Sequence, residues 1–137
     1  DPDAVYFTNA VKHFKFEPRG KRRLHKNPSV AEINHCRWWL EKEIALVQPK
    51  VIVALGASAL RGIIGKPVRL SQWRGIFQPL PSAAHFWEDR VPPDVMATFH
   101  PSYILRLPEG QAKQDACATL KRDLLAATQR DARYRAI

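Results

Sequence analysis

Val51-Ile52-Val53-Ala54-Leu55, followed at once by Gly56-Ala57-Ser58, decides the fold class. Five apolar residues without polar alternation describe a strand covered on both faces. The glycine then turns the chain into a short helix that stops near Gly65. Upstream, Ser29-Val30-Ala31-Glu32 has the form of a capping box, with Ser29 as N-cap and Glu32 reaching back. Ile33, Cys36, Trp39 or Leu40, Ile44 and Val47 recur behind it at helical spacing, and that helix should end before Pro49. Downstream, Val95-Met96-Ala97-Thr98-Phe99 predicts another strand, with His100-Pro101-Ser102 directly after it. A last helix over about 111–133 carries Ala116, Leu120, Leu124 and Ala127 on one face and charges on the other. Cys117 beside that face reads as a core thiol.

Nearer the start, Val5-Tyr6-Phe7-Thr8 is a β-rich run that predicts a first strand ending at Asn9. Residues 66–94, rich in proline and aromatics, predict loop with short strand pieces. The order is strand, helix, strand, helix, strand, helix. Parallel strands with crossover helices are its simplest solution: an α/β, three-layer α/β/α sandwich around a short parallel sheet. Ligands of such sheets bind beyond the carboxyl ends of the strands. Asn9, Gly56-Ala57-Ser58 and His100-Pro101-Ser102 are therefore expected to converge on one edge.

Composition narrows the function. The 137 residues suit one domain, spanning 1–137, and carry a formal net charge of +9. A sequence pI near 10.0 predicts an anionic partner. No long apolar run or strongly amphipathic basic helix points to a membrane, and no signal peptide opens the chain. Two isolated cysteines, Cys36 and Cys117, make no disulfide framework, and a cytoplasmic setting is expected. His35 and His85 have no constellation around them. Trp38, Trp39, Trp73 and Trp87 read as packing residues, with Trp73 beside Arg74 the one candidate stacking platform.

Residues 20–29, Gly-Lys-Arg-Arg-Leu-His-Lys-Asn-Pro-Ser, stand apart. Gly20 and Pro28 bracket the run, so a loop is expected, leaving from the same sheet edge. Lys21, Arg22, Arg23 and Lys26 attract phosphate. They also disfavour an imidazolium at His25, leaving a ring nitrogen free as nucleophile or base. A solvated basic loop that binds nucleic acid loosely has the same composition.

With these residues in view, the chain resembles a uracil-DNA glycosylase, most nearly the UdgX type beside the family-four iron–sulfur enzymes. The matching stretches are Thr8-Asn9-Ala10-Val11-Lys12-His13-Phe14-Lys15-Phe16, Gly20-Lys21-Arg22-Arg23-Leu24-His25-Lys26, Cys36-Arg37-Trp38-Trp39-Leu40, Leu55-Gly56-Ala57-Ser58-Ala59 and His100-Pro101-Ser102. They occur in family order over nearly the whole chain. The family's upstream Cys-x-x-Cys pair and Gly-Glu-x-Pro-Gly loop do not occur here. The likeness is to the C-terminal two-thirds of the family domain, without its first strand segment.

The resemblance implies roles. Asn9 would read uracil, because a side-chain amide offers a donor and an acceptor side by side. An asparagine that ends a strand by bonding local backbone looks the same in sequence. His100 would lie against the flipped base and donate to it as negative charge builds, and a turn histidine satisfied by backbone is the plain alternative. Ser102 would bond a DNA phosphate. Gly56 and Ser58, at a helix start, suit a phosphate too. His25 would capture C1′ of the sugar once the base departs, leaving the protein covalently joined to abasic DNA. Lys21, Arg22, Arg23 and Lys26 would clamp phosphates. His13 and Cys36 would be two ligands of a 4Fe–4S cluster, the other two belonging to the absent upstream segment.

The implied function is a DNA repair glycosylase acting on uracil-containing DNA, single-stranded by preference, and monomeric when complete. The rivals are a non-catalytic DNA- or abasic-site-binding module and a glycosylase that lets water capture the sugar. A third, a phosphate-ligand enzyme of another α/β kind, lacks any Gly-x-Gly-x-x-Gly or P-loop motif.

Overall fold

The computed structural model describes residues 2–13, 15–81 and 91–135. His85 and Trp87 lie outside these, as does the side chain of His25. A 3-10 turn at Pro2–Ala4 leads to β1 (Phe16–Arg19) and β2 (Arg22–His25). Then come α1 (Val30–Val47), β3 (Val51–Leu55), α2 (Ala57–Ile64), β4 (Gln78–Pro79), β5 (Asp94–Thr98), α3 (Pro101–Arg106) and α4 (Gln111–Arg135).

The capping box starts α1 as expected. Glu32 N–H donates to the Ser29 hydroxyl at 3.2 Å, and Ser29 N–H donates to the Glu32 carboxylate at 2.6 Å. Ile33, Cys36, Leu40 and Ile44 form the buried face. Trp38 and Trp39 fall off that face and are 53% and 56% exposed, which corrects their reading as packing residues. Their indoles meet edge to face, with centroids 4.4 Å apart, and the Lys42 ammonium lies 5.6 Å from the Trp38 ring. Gln48 closes α1 in the left-handed conformation (φ 51°), ahead of Pro49.

β3 and β5 pair in parallel from Val51↔Asp94 to Leu55↔Thr98. The sheet order is β3-β5-β4, and β4 runs antiparallel to β5. The expected purely parallel sheet is thus mixed. β4 has two residues, ends in a proline with no N–H to give, and sits at an edge, where neither a long crossover nor a second ladder is required.

Pleat alternation sets the layers. Val95 and Ala97 join Ala54, Leu60, Ile64, Trp73 and Leu80 in one core under α2. Each fully buried aliphatic there, such as Leu60, contributes roughly 1.5–3 kcal/mol. Asp94 and Thr98, the alternate positions, reach α4 instead. Arg130 donates to Asp94 at 2.7 Å and Thr98 donates to Asp123 at 2.6 Å. Helices thus cover both faces, and α1 packs outside α2. The inward line of α4 includes Ala116, Asp123 and Ala127, while Leu124 and Cys117 are exposed. The expected core thiol is a surface one, because Cys117 stands one residue past Ala116 and so turns off the inward line of 116, 123 and 127.

Two further expectations are corrected. Val5–Thr8 is not a strand, and Phe7 is 84% exposed. The segment is strapped to α1 rather than to a strand. The Thr8 hydroxyl and the Lys12 ammonium each donate to Glu43 at 2.7 Å, and Lys15 donates to Glu32 at 2.9 Å. The basic run is not a loop either. β1 and β2 form an antiparallel hairpin, Phe16↔His25 to Arg19↔Arg22, turning through Gly20-Lys21. Among the described residues no helix is long and apolar enough to cross a membrane.

Candidate active site at the carboxyl end of the sheet

Two of the three predicted strand ends meet. The Gly56 N–H donates to the Thr98 carbonyl at 3.0 Å, carrying the β3–β5 ladder one step past the strands. Gly56 has φ 92° and ψ 172°, a region essentially closed to residues with a side chain. A Cβ there would stand 3.1 Å from the Cβ of His100. The glycine is what lets the α2 turn and the His100 turn close on each other.

His100 is the N-cap of α3, and Pro101 occupies the first turn, where its missing N–H costs nothing. The backbone N–H of Ser102 donates to His100 Nδ1 at 3.0 Å. A neutral ring whose Nδ1 accepts carries its proton on Nε2. The exposed end of the ring is then a hydrogen-bond donor. Ser102 is half-buried, and its backbone serves the histidine.

Asn9 is exposed and lies on the strap along α1 and α2, not on a strand end. Its neighbour Ala10 packs against Gly62 of α2, where an added Cβ would meet it at 3.1 Å. Asn9 is therefore carried by helices. Four residues on, His13 Nδ1 lies 3.9 Å from the Cys36 sulfur, which also accepts from the Lys12 N–H at 3.5 Å. Cys36 is buried and His13 exposed. Among the described residues no group of three or more His, Cys, Asp or Glu could hold a metal.

Charge fixes the strap. The Lys15 ammonium, then the Ser29 N–H, hold the Glu32 carboxyl at about 2, far below its ordinary 4.5. Partial burial pushes Glu43 up, but the hydrogen bonds from Lys12 and Thr8 outweigh it and leave the group below its ordinary value. Lys21, Arg22, Arg23 and Lys26 are exposed on the hairpin. Arg23 lies over the Phe16 ring at 4.8 Å, and Lys26 pairs with Glu17 at 3.1 Å. An exposed, partly pre-ordered set of cations suits phosphate.

A family model of the uracil DNA glycosylase superfamily matches residues 1–124. The chain belongs to that superfamily. It is also 37% identical over 103 residues to a type-4 uracil-DNA glycosylase of Thermotoga maritima. That alignment covers 74% of this chain and 45% of the relative, so the chain spans under half the length of the curated protein it matches.

Within this superfamily chain, Trp73 is not the stacking platform that its loop position suggested. It is buried in the core at the Ala97 end of β5. Its neighbour Arg74 is half-buried and pairs at 3.9 Å with the buried Asp123 of α4. Neither was singled out from sequence. The only available signal was a carboxylate at 123 in phase with Ala116 and Ala127.

Proposed function

We propose that the protein is a UdgX-type glycosylase that excises uracil from DNA and keeps the abasic sugar on His25. The observation that carries the excision step is the His100 ring, seated against Gly56 with Nδ1 engaged by Ser102; the trapping step rests on the likeness of residues 20–26 to the UdgX type. Such a ring offers Nε2–H to a pyrimidine carbonyl. The bond from C1′ to the uracil nitrogen breaks with both electrons leaving on the base. The donor from His100 stabilises that charge, and the departing base takes a proton from water. The sugar is left as an oxocarbenium ion. A lone pair on the His25 ring closes a new C1′–N bond, and the ring's own proton passes to water.

Asn9 discriminates uracil from cytosine through its paired donor and acceptor. Gly56, Ser58 and Ser102 line the approach of the flipped nucleotide. Lys21, Arg22, Arg23 and Lys26 hold flanking phosphates. Single-stranded DNA is the easier substrate, because no base pair must be broken. His13 and Cys36, 3.9 Å apart, are a thiol and an imidazole of the kinds that hold iron–sulfur clusters. They would supply two of four ligands to a 4Fe–4S cluster, the other two being assigned by the family likeness to an upstream Cys-x-x-Cys pair. Bound there, the cluster would be a structural staple on the strap that bears Asn9. A monomeric, cytoplasmic DNA-repair role goes with this reading.

The test is a denaturing gel after incubating the complete polypeptide with uracil-containing single-stranded DNA. A heat-stable shifted band that vanishes in His25→Ala is expected. Free uracil without a shift contradicts trapping and leaves a water-using glycosylase. Salt-sensitive binding with neither leaves a DNA-binding module.

A further inference from the structure

We infer that Arg74 is a DNA-phosphate contact at the rim, held ready by Asp123 and Phe99. The inference rests on the reading of this rim as a DNA site and adds a residue and a role to it. Residues 73–75 lie alongside the end of β5. Ala97 N–H donates to the Trp73 carbonyl at 2.9 Å, and Gly75 N–H donates to the Ala97 carbonyl at 3.0 Å. Trp73 turns into the core, and Arg74 turns out along the carboxyl edge. Its guanidinium lies 5.5 Å from the Phe99 ring, and Phe99 directly precedes His100. The Phe99 ring in turn lies 5.2 Å from Tyr103, which is 43% exposed.

Asp123 explains the orientation. Its carboxylate is only 3% exposed, a burial that demands partners. Thr98 supplies a hydrogen bond at 2.6 Å, and Arg74 an ion pair at 3.9 Å. Gly75 permits the approach: with φ +68°, an added Cβ there would crowd the Asp123 carboxylate at 3.3 Å. Arg122 also lies within 4.0 Å of that carboxylate. Two guanidiniums share one negative charge, so a positive charge is left over at the rim.

A guanidinium fixed this way differs from a free surface cation. Its side chain is 35% exposed, so it meets an incoming anion with little further ordering. Its planar fork matches two phosphate oxygens. It lies over Phe99, the residue before His100. A phosphodiester of DNA bound along this rim is the anion this geometry suits.

Binding of uracil-free single-stranded DNA to the complete polypeptide, measured against salt, tests it. Each phosphate contact contributes about 0.7 to the slope of log K against log salt for single strands. Arg74→Gln should flatten the slope by about that much and leave the far-ultraviolet circular dichroism unchanged. An unchanged slope in a folded Arg74→Gln, with a salt-dependent wild type, overturns this inference alone. A wild type without salt-dependent binding overturns the DNA reading and this inference with it. Should Arg74→Gln not fold, Arg74→Lys decides. The inference expects it to keep the slope and lose roughly threefold or more in affinity, because the fork is gone; unchanged affinity overturns the inference.

Discussion

Gly56 and His100 are in contact through backbone and Cβ: a methyl group added at 56 would stand 3.1 Å from the His100 Cβ. Gly56→Ala therefore faces two obstacles, a φ of 92° and a histidine in the way. The strain should cost about 1–3 kcal/mol of stability. Displacing His100 should lower uracil release by roughly 10–100-fold at a temperature where the variant is folded. Urea unfolding and single-turnover release, measured side by side, check this. A loss of activity no larger than the unfolded fraction would contradict it.

Gln48 holds the left-handed closing position of α1, with φ 51° and an exposed side chain. A residue with a Cβ is strained there, and glycine is not. Gln48→Gly should raise stability by about 0.5–1 kcal/mol, read as a higher urea midpoint with unchanged m-value. A lower midpoint would contradict the account.

The Glu32 carboxyl ties the start of α1 to the strap through Lys15 and Ser29. Its folded value of about 2 lies below its ordinary 4.5. In that window the unfolded chain binds the extra proton, so stability falls as pH falls. The contribution should be complete above pH 4.5 and gone near pH 2. Glu32→Gln should be less stable than wild type at neutral pH. Urea titrations at descending pH should show the two converging, and a constant gap across the range would contradict this.

His13 and Cys36 are two donors, and a four-iron cluster takes four. The 137-residue polypeptide, reconstituted with iron and sulfide, should bind no stable four-iron cluster. Iron and acid-labile sulfide analysis checks it, and a full complement of both would contradict it.

Much of the frame was legible because its signals are local. The apolar run Val51–Leu55 and the capping box at Ser29 and Glu32 act within a few residues, and both appear where expected. What was not legible depends on distant partners. Val5–Thr8 has strand composition, but Thr8 bonds Glu43, 35 residues away, and the segment follows a helix. Asp123 reads as one more charge on α4 until the Thr98 hydroxyl, 25 residues back, is seen to meet it. Of the site, the Gly56–His100 approach follows from strand order. The pairing of His13 with Cys36 was implied by family likeness and by no spacing rule. The hairpin at 16–25 was hidden because basic strand residues score as loop when no core covers them.

The most direct measurement is a mass analysis of the covalent product. The complete polypeptide, incubated with uracil-containing single-stranded DNA and then digested by protease and nuclease, should yield a peptide carrying a deoxyribose remnant on His25. Release of uracil with His25 unmodified would contradict the account.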